Sequence, residues 1–503
     1  MPATPPPQLG AEIRAALGET GAVGVTVRQL AARLDRQPER VAATLTDLAR
    51  RGDVLRMGRG LYVLRAFERL DERKEFVDPV AFDERFERET GVEIGHVAGP
   101  ITFRANEAAP VHRWWPYVQG YSAEFVRSVL DGFEMPRGAT VLDPFAGSGT
   151  TLVEARRAGH RALGTELLAP AVLAARVKTT FALDGTRLVA AARRTVAAAR
   201  RRRIGPLPFL RETRRQFDAA RLGELTRLRD ALAPEGTSAA DALRLAFGKV
   251  LIPASRLHRS PCLGYDRRYR PLDATAYDLF LRAAETMRDD LTELQRERST
   301  WGPPAEVRAE DARTAAWPRG SVDLAITSPP YVNGMDYVMN YKVDLAWLGY
   351  VRSYRDLAAI RRAEVACDNL PRSETAAYRS MNALPDPWLA GILEQIRTNV
   401  ARKASYRRDD VHAVVHRYFA DLVPVLRRVY EALRPGGRFV LVVGDSLLAG
   451  TYVPGDLLTA RLGASVGFRI ESVNVARSRR SGQRRSFLLR ESVVTLERPR
   501  SAT

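Results

Sequence analysis

The sequence predicts an α/β protein built on a parallel sheet with crossover helices, and three observations carry that prediction. Apolar strand-like runs alternate with helical spacing at 139–180, 305–350 and 415–498, as in sheets whose strands are joined by packed helices. Thr140–Leu142 runs into Asp143, and a Gly147-Ser148-Gly149-Thr150 turn then opens a helix. The 503 residues are 45% hydrophobic, enough for a real core and, at roughly 100–200 residues per domain, for about three domains.

The N-terminal elements come first. Leu9–Leu17 places Leu9, Ile13, Ala16 and Leu17 on one helical face. Thr26 is the N-cap of a second helix carrying Val27, Leu30, Ala31 and Leu34. After a turn at Asp35–Pro38, a third helix over Glu39–Arg51 buries Val41, Leu45 and Leu48 and stops at Gly52. VLRM and LYVLR then form a hairpin around Gly58-Arg59-Gly60. Three helices and a hairpin in this order make 1–66 resemble a winged helix-turn-helix, with Arg40 and Arg59 as its candidate DNA contacts. The charged stretch 67–110 reads as a linker. Residues 111–180 carry the first part of the α/β pattern. Residues 181–300 read as a helical insertion, and 301–503 as the second part, interrupted by an arginine-rich insertion at 351–410.

Composition narrows the classes. Lys+Arg 78 against Asp+Glu 59 gives a net charge of +19, which favours a polyanionic partner, most commonly nucleic acid. Only five of the cations are lysines (Lys74, Lys178, Lys249, Lys342, Lys403), so arginine supplies nearly all the positive charge. No apolar run reaches the roughly 18 residues of a membrane span. The start MPATPPPQLG has neither a basic nor an apolar signal region. Cys262 and Cys367 cannot make a disulfide framework or a four-thiolate zinc site, and the six histidines show no metal-ligand spacing. The expectation is a cytoplasmic protein with no metal and no membrane contact.

Two motifs carry chemistry. In ATVLDPFAGSGTTLVEA, 139–155, glycines admit a ligand close to the backbone and the helix start offers free N–H groups. A second strand, Arg161–Gly164, leads to Glu166, 23 residues after Asp143, where a carboxylate can accept ribose hydroxyls. In SVDLAITSPPYVNGMDY, 321–337, the strand Val322–Ile326 runs into Thr327-Ser328-Pro329-Pro330-Tyr331. The prolines fix the backbone and remove two N–H donors. The carbonyls of Ser328 and Pro329 are thereby held at the strand's carboxyl end, the edge of an open sheet where ligands bind.

DPFAGSGTT with TSPPY resembles the DNA methyltransferases that modify exocyclic amines, whose motifs are DPFxGSGT and (S/D/N)PP(Y/F/W). The resemblance covers about 111–180 and 305–498, and implies a Rossmann-like sheet that binds S-adenosyl-L-methionine. It assigns the cofactor to Tyr121, Ser122, Asp143, Pro144, Phe145, Gly147, Ser148, Gly149, Thr150, Glu166 and Asp311, the last as an acceptor for the adenine amine. It assigns the target amine to Ser328, Pro329, Pro330 and Tyr331. LRPGGRFVLVVGDS, 433–446, is similar to the family's next helix-turn-strand, and 468–498 to its terminal hairpin.

Serine at the first position of the second motif is similar to the N4-cytosine branch, with N6-adenine as the alternative. The Ser328 hydroxyl and the Pro329 carbonyl would accept the amine's hydrogen bonds and localise its lone pair, and Tyr331 would stack on a flipped base. Cytosine-C5 chemistry needs a thiolate, and Pro261-Cys262 lies in the helical insertion. Arg477, Arg479, Arg480, Arg484 and Arg485 around the last hairpin's tip read as phosphate contacts on double-stranded DNA. The Arg200–Arg203 run reads more simply as a solvated helix face. The resemblance admits a cognate restriction endonuclease as a further partner, and leaves either insertion as the target reader. An RNA base-amine methyltransferase and a non-enzymatic DNA-binding regulator are the rival readings; Ser328 and the intact motifs argue against them.

Overall fold

The computed structural model describes residues 7–20, 25–57, 61–64, 79–97, 101–259, 262–332, 336–365, 384, 386–402, 409–480 and 488–500. At the N-terminus stand α1 (Pro7–Thr20), β1 (Val25–Thr26), α2 (Val27–Leu34), α3 (Pro38–Arg50), β2 (Val54–Met57) and β3 (Leu61–Leu64). The strands pair antiparallel in the order β1-β3-β2. Thr26 starts α2 with a capping box: its hydroxyl accepts the Gln29 N–H, and the Gln29 amide oxygen accepts the Thr26 N–H at 2.9 Å. Ile13, Leu17, Leu30, Val41 and Leu45 are fully buried together. The spacing of these apolar residues is thus the spacing of one shared core.

Next come α4 (Pro79–Thr90), β4 (Ile94–His96), α5 (Ala123–Gly132), β5 (Thr140–Asp143), α6 (Thr150–Arg157), β6 (Arg161–Thr165) and α7 (Ala169–Lys178). The span 67–110, expected as a linker, is corrected here over its described part. Its α4 buries Phe86 completely, and β4 pairs in parallel with a strand almost four hundred residues later. A three-residue strand carries too little pattern to be recognised locally; only its distant partner makes it a strand.

The helical insertion holds α8 (Gly185–Arg201), α9 (Thr213–Gln216), α10 (Ala219–Ala231), α11 (Ser238–Leu251) and α12 (Ala276–Leu294). It is not helical throughout, because β7 (Leu257–Arg259) and β8 (Leu263–Tyr265) form a small antiparallel hairpin between α11 and α12. The rest comprises β9 (Glu306–Arg308), β10 (Val322–Thr327), α13 (Tyr337–Trp347), α14 (Tyr354–Ala363), α15 (Pro387–Arg402) and α16 (Val411–Ala432). It ends with β11 (Leu433–Gly444), β12 (Ser446–Leu448), β13 (Thr451–Val453), α17 (Gly455–Val466), β14 (Arg469–Arg480) and β15 (Leu488–Glu497).

Among the described residues, eight strands form one sheet in the order β4-β14-β15-β11-β10-β5-β6-β9. The strands from β11 to β9 run parallel, and β15 is antiparallel to both of its neighbours. The sheet is Rossmann-like, with helices covering both faces. Val141, Leu324, Val440 and Val442 pack with α5 and α6, while Leu142, Ala325, Leu441 and Val443 pack with α16 and α17. The period-2 alternation of these strands therefore serves two cores at once. The insertion shares a third core with α7 and α13 through Phe247, Phe280, Tyr341 and Trp347. Chain order reverses between β5 and β10, which makes their carboxyl ends a topological switch point.

Candidate active site

Asp143 ends β5 and Thr327 ends β10, and the two are joined directly. The Thr327 hydroxyl donates to Asp143 Oδ1 at 2.7 Å, and the Phe145 N–H donates to the same oxygen at 3.0 Å. The Tyr121 hydroxyl donates to Asp143 Oδ2 at 2.7 Å and also bonds the Thr151 hydroxyl. Burial pushes the Asp143 carboxyl above its ordinary range, and these bonds pull it back. Asp143 thus clamps the glycine turn to the Ser-Pro-Pro strand.

The turn itself lines a pocket with Tyr117, Tyr121, Glu166, Asp311 and Ser328. Gly147 has φ +51°, and a Cβ there would lie 2.9 Å from the Tyr117 ring. Only glycine gives that turn without strain or clash. Ser148 is buried, and its hydroxyl has no hydrogen-bond partner among the described residues. Gly149, in left-handed conformation, opens α6 with no side-chain cap, so the first N–H groups of the helix remain for a ligand. Pro144, Phe145, Gly147, Ser148 and Thr150 all line the pocket. Asp143, Gly149 and Ser122 stand behind that lining. Ser122 is the N-cap of α5, its hydroxyl accepting the Phe125 N–H at 3.0 Å.

Glu166 follows β6 and is 8% exposed. Its Oε2 accepts the Gly147 N–H at 2.8 Å, and its Oε1 accepts the N–H groups of Leu167 and Leu168 at 2.9 and 2.8 Å. Burial raises this carboxyl to about 7, against those three bonds and with the field of Asp143 adding to it. A carboxylate has about four acceptor positions, so Glu166 keeps one, on Oε2. Asp311 also lines the pocket, but its charge is matched by Arg313, whose Nε donates to both carboxylate oxygens at 3.0 Å. Arg313 in turn reaches Asp421 at 2.9 Å.

Ser328, Pro329, Pro330 and Tyr331 leave the carboxyl end of β10. Pro330 lines the first pocket, Tyr331 lines a second, larger cleft of about 960 Å³, and Ser328 lines both. The Tyr331 ring is 6% exposed and packs so tightly on Gly444, at the end of β11, that a Cβ there would lie 2.8 Å from it. The strand end therefore forms a partition between two adjoining cavities.

Several lining residues escaped the sequence reasoning. Tyr117 stacks on Tyr337 and Tyr341 with ring centroids 6.2 and 5.6 Å apart, and the Val118 N–H donates to the Tyr341 hydroxyl at 2.9 Å. Gln119 and Phe103 line both cavities. The available signal was the density of aromatics in HRWWPYVQGY and DYVMNY, one beside each motif.

The expected DNA-contact arginines are placed unevenly. Arg40 is exposed on the first turn of α3. Arg477 lines the cleft but is held by Glu491 at 2.5 and 2.9 Å. Arg479 and Arg480 lie on β14. Arg59, Arg484 and Arg485 lie outside the described residues, as do Pro261 and Cys367. Cys262 is exposed, and neither cavity is lined by it. Among the described residues no helix is long and apolar enough to cross a membrane.

A DNA methylase family model of the N6/N4 type matches residues 122–175, the stretch from α5 through the glycine turn to α7. The type II methyltransferase M.BsoBI of Geobacillus stearothermophilus is 22% identical over 484 residues, spanning 86% of this chain and 92% of that protein. The type II methyltransferase M.AvaI of Nostoc sp. is 23% identical over 401 residues, spanning 75% and 82% respectively. Among solved structures, a TehB-like SAM-dependent methyltransferase from Corynebacterium glutamicum superimposes with a TM-score of 0.25 at 11% identity, over 75% of this chain and 86% of that one.

Proposed function

We propose that the chain is a DNA methyltransferase that modifies exocyclic amines, like the type II methyltransferases it resembles, and that it methylates the N4 amine of cytosine in double-stranded DNA. Its cofactor is S-adenosyl-L-methionine, which supplies an electrophilic methyl group on a sulfonium. The chemistry of the first pocket's lining suits that molecule. The unpartnered Ser148 hydroxyl and the uncapped start of α6 suit the carboxylate of its methionine part. The remaining acceptor position on Glu166 suits one ribose hydroxyl, and the aromatic wall of Tyr117, Phe145 and Tyr337 suits the adenine.

The observation that carries the proposal is the position of Ser328, which lines both cavities at the switch point. A base delivered through the larger cleft meets the Ser328 hydroxyl there, and the motif assigns the carbonyl of the buried Pro329, which lines neither cavity, as the second acceptor. Both accept hydrogen bonds from its amine, which turns the nitrogen lone pair out of the ring and toward the cofactor pocket. Tyr331 offers the flipped base a flat apolar face on the cleft side. Serine at 328, where aspartate is more typical of adenine enzymes, supports cytosine as the base.

The N-terminal unit, with Arg40 exposed on α3, is assigned to DNA contact, and a restriction endonuclease of the same recognition sequence is the expected functional counterpart. The test is incubation of genomic DNA with the protein and labelled S-adenosyl-L-methionine, followed by nucleoside mass spectrometry. N4-methylcytosine is expected. N6-methyladenine would overturn the choice of base, and label in RNA alone would overturn the choice of nucleic acid.

A further inference from the structure

The helical insertion builds part of the larger cleft. Gly248 and Lys249, near the end of α11, and Ile252 and Pro253 just beyond it line the same space as Ser328 and Tyr331. Four cationic side chains line this cleft: Arg104, Lys249, Arg259 and Arg477. Two are already neutralised. Arg259 pairs with Asp344 and lies over the Tyr341 ring at 4.6 Å, and Arg477 pairs with Glu491. Arg104 and Lys249 make no side-chain hydrogen bond or ion pair among the described residues. Arg104 is exposed on the short turn Phe103–Glu107, whereas Lys249 is half-buried in the wall.

We propose that Lys249 of the inserted helix α11 grips a backbone phosphate of the DNA strand whose base enters the cleft. The proposal rests on the reading that this cleft takes the target nucleotide. Burial pushes the Lys249 amine below the ordinary lysine range, with the field of Glu107 opposing and that of Arg113 adding. Among the described residues Lys249 is thus a partly desolvated cation with no anion bonded to it, Glu107 of the same cleft acting on it through its field alone, at a cost that a phosphate would offset. Lysine has three donors and no acceptor and acts as a compact point charge. It therefore positions a strand without reading its sequence. Lys249 does not line the cofactor pocket, so its contact should be felt by DNA alone. The insertion between β6 and β9 then forms one jaw on the target strand.

The test compares wild type, Lys249→Met and Lys249→Arg. It measures kcat and KM for genomic DNA over a range of salt concentrations, and S-adenosyl-L-methionine affinity by calorimetry. Lys249→Met should lower kcat/KM about tenfold or more, mainly through KM. Its salt slope should be shallower by about one unit, with cofactor affinity unchanged. Lys249→Arg should restore most of the slope. A Lys249→Met enzyme with wild-type KM and slope would overturn the proposal. So would an equal loss in both variants at unchanged slope, which would make Lys249 a packing residue. A wild-type enzyme that transfers no methyl to DNA would instead overturn the underlying reading, before any variant is compared.

Discussion

At the residue scale, the site depends on a few groups held in states they would not adopt alone. Glu166 is one, with its carboxyl raised to about 7 by burial. On the proposed reading three acceptor positions are filled and a proton takes the fourth, so only the ionised form can accept a ribose hydroxyl there, and cofactor affinity should be weak below pH 7, rise through it and level off above. Calorimetry across that range checks this, and Glu166→Gln should show a flat profile. Gly147 is another. Leucine there would cost roughly 1–2 kcal/mol in left-handed backbone and would collide with Tyr117. That is small against a typical stability of about 5–15 kcal/mol. Gly147→Leu should therefore keep its circular dichroism spectrum while losing measurable cofactor binding. Tyr331→Ala should bind cofactor normally yet lose roughly 1–3 kcal/mol of base stacking, seen as slower transfer at saturating cofactor.

At the element scale, local signals were legible and long-range ones were not. Thr26, Pro38 and Gly52 mark helix ends within a few residues of themselves, and those ends appear where the pattern put them. The strands carrying Asp143 and Thr327 were equally plain, because both of their faces are buried and both are apolar. β4 was not legible, since its three residues acquire a partner only when β14 has folded. Nor could the sequence reveal that Arg490 is largely buried among Asp83, Asp445 and Asp456, or that Asp143 and Tyr121 spend their polar atoms on each other. The α4–β4 strap should be integral to the fold. Phe86→Ala should destabilise the protein by about 3–5 kcal/mol, measured by urea unfolding. A loss below 1 kcal/mol would return the segment to the status of a linker.

At the scale of the whole molecule, two motifs about 180 residues apart are brought together by one sheet, and Asp143 bonded to Thr327 is the join. The N-terminal unit has a core of its own. Removing residues 1–66 should leave cofactor affinity intact and weaken DNA binding with a shallower salt slope; undiminished DNA affinity would free that unit for another partner. The central claim is that Ser328 and Tyr331 at the strand end act on the base and not on the cofactor. The measurement that tests it most directly is single-turnover methyl transfer to DNA by Ser328→Ala, alongside calorimetric cofactor affinity. The account predicts a fall in transfer of about 10²–10³-fold with affinity unchanged. Transfer at the wild-type rate, or a loss of cofactor affinity as large as the loss of rate, would contradict it.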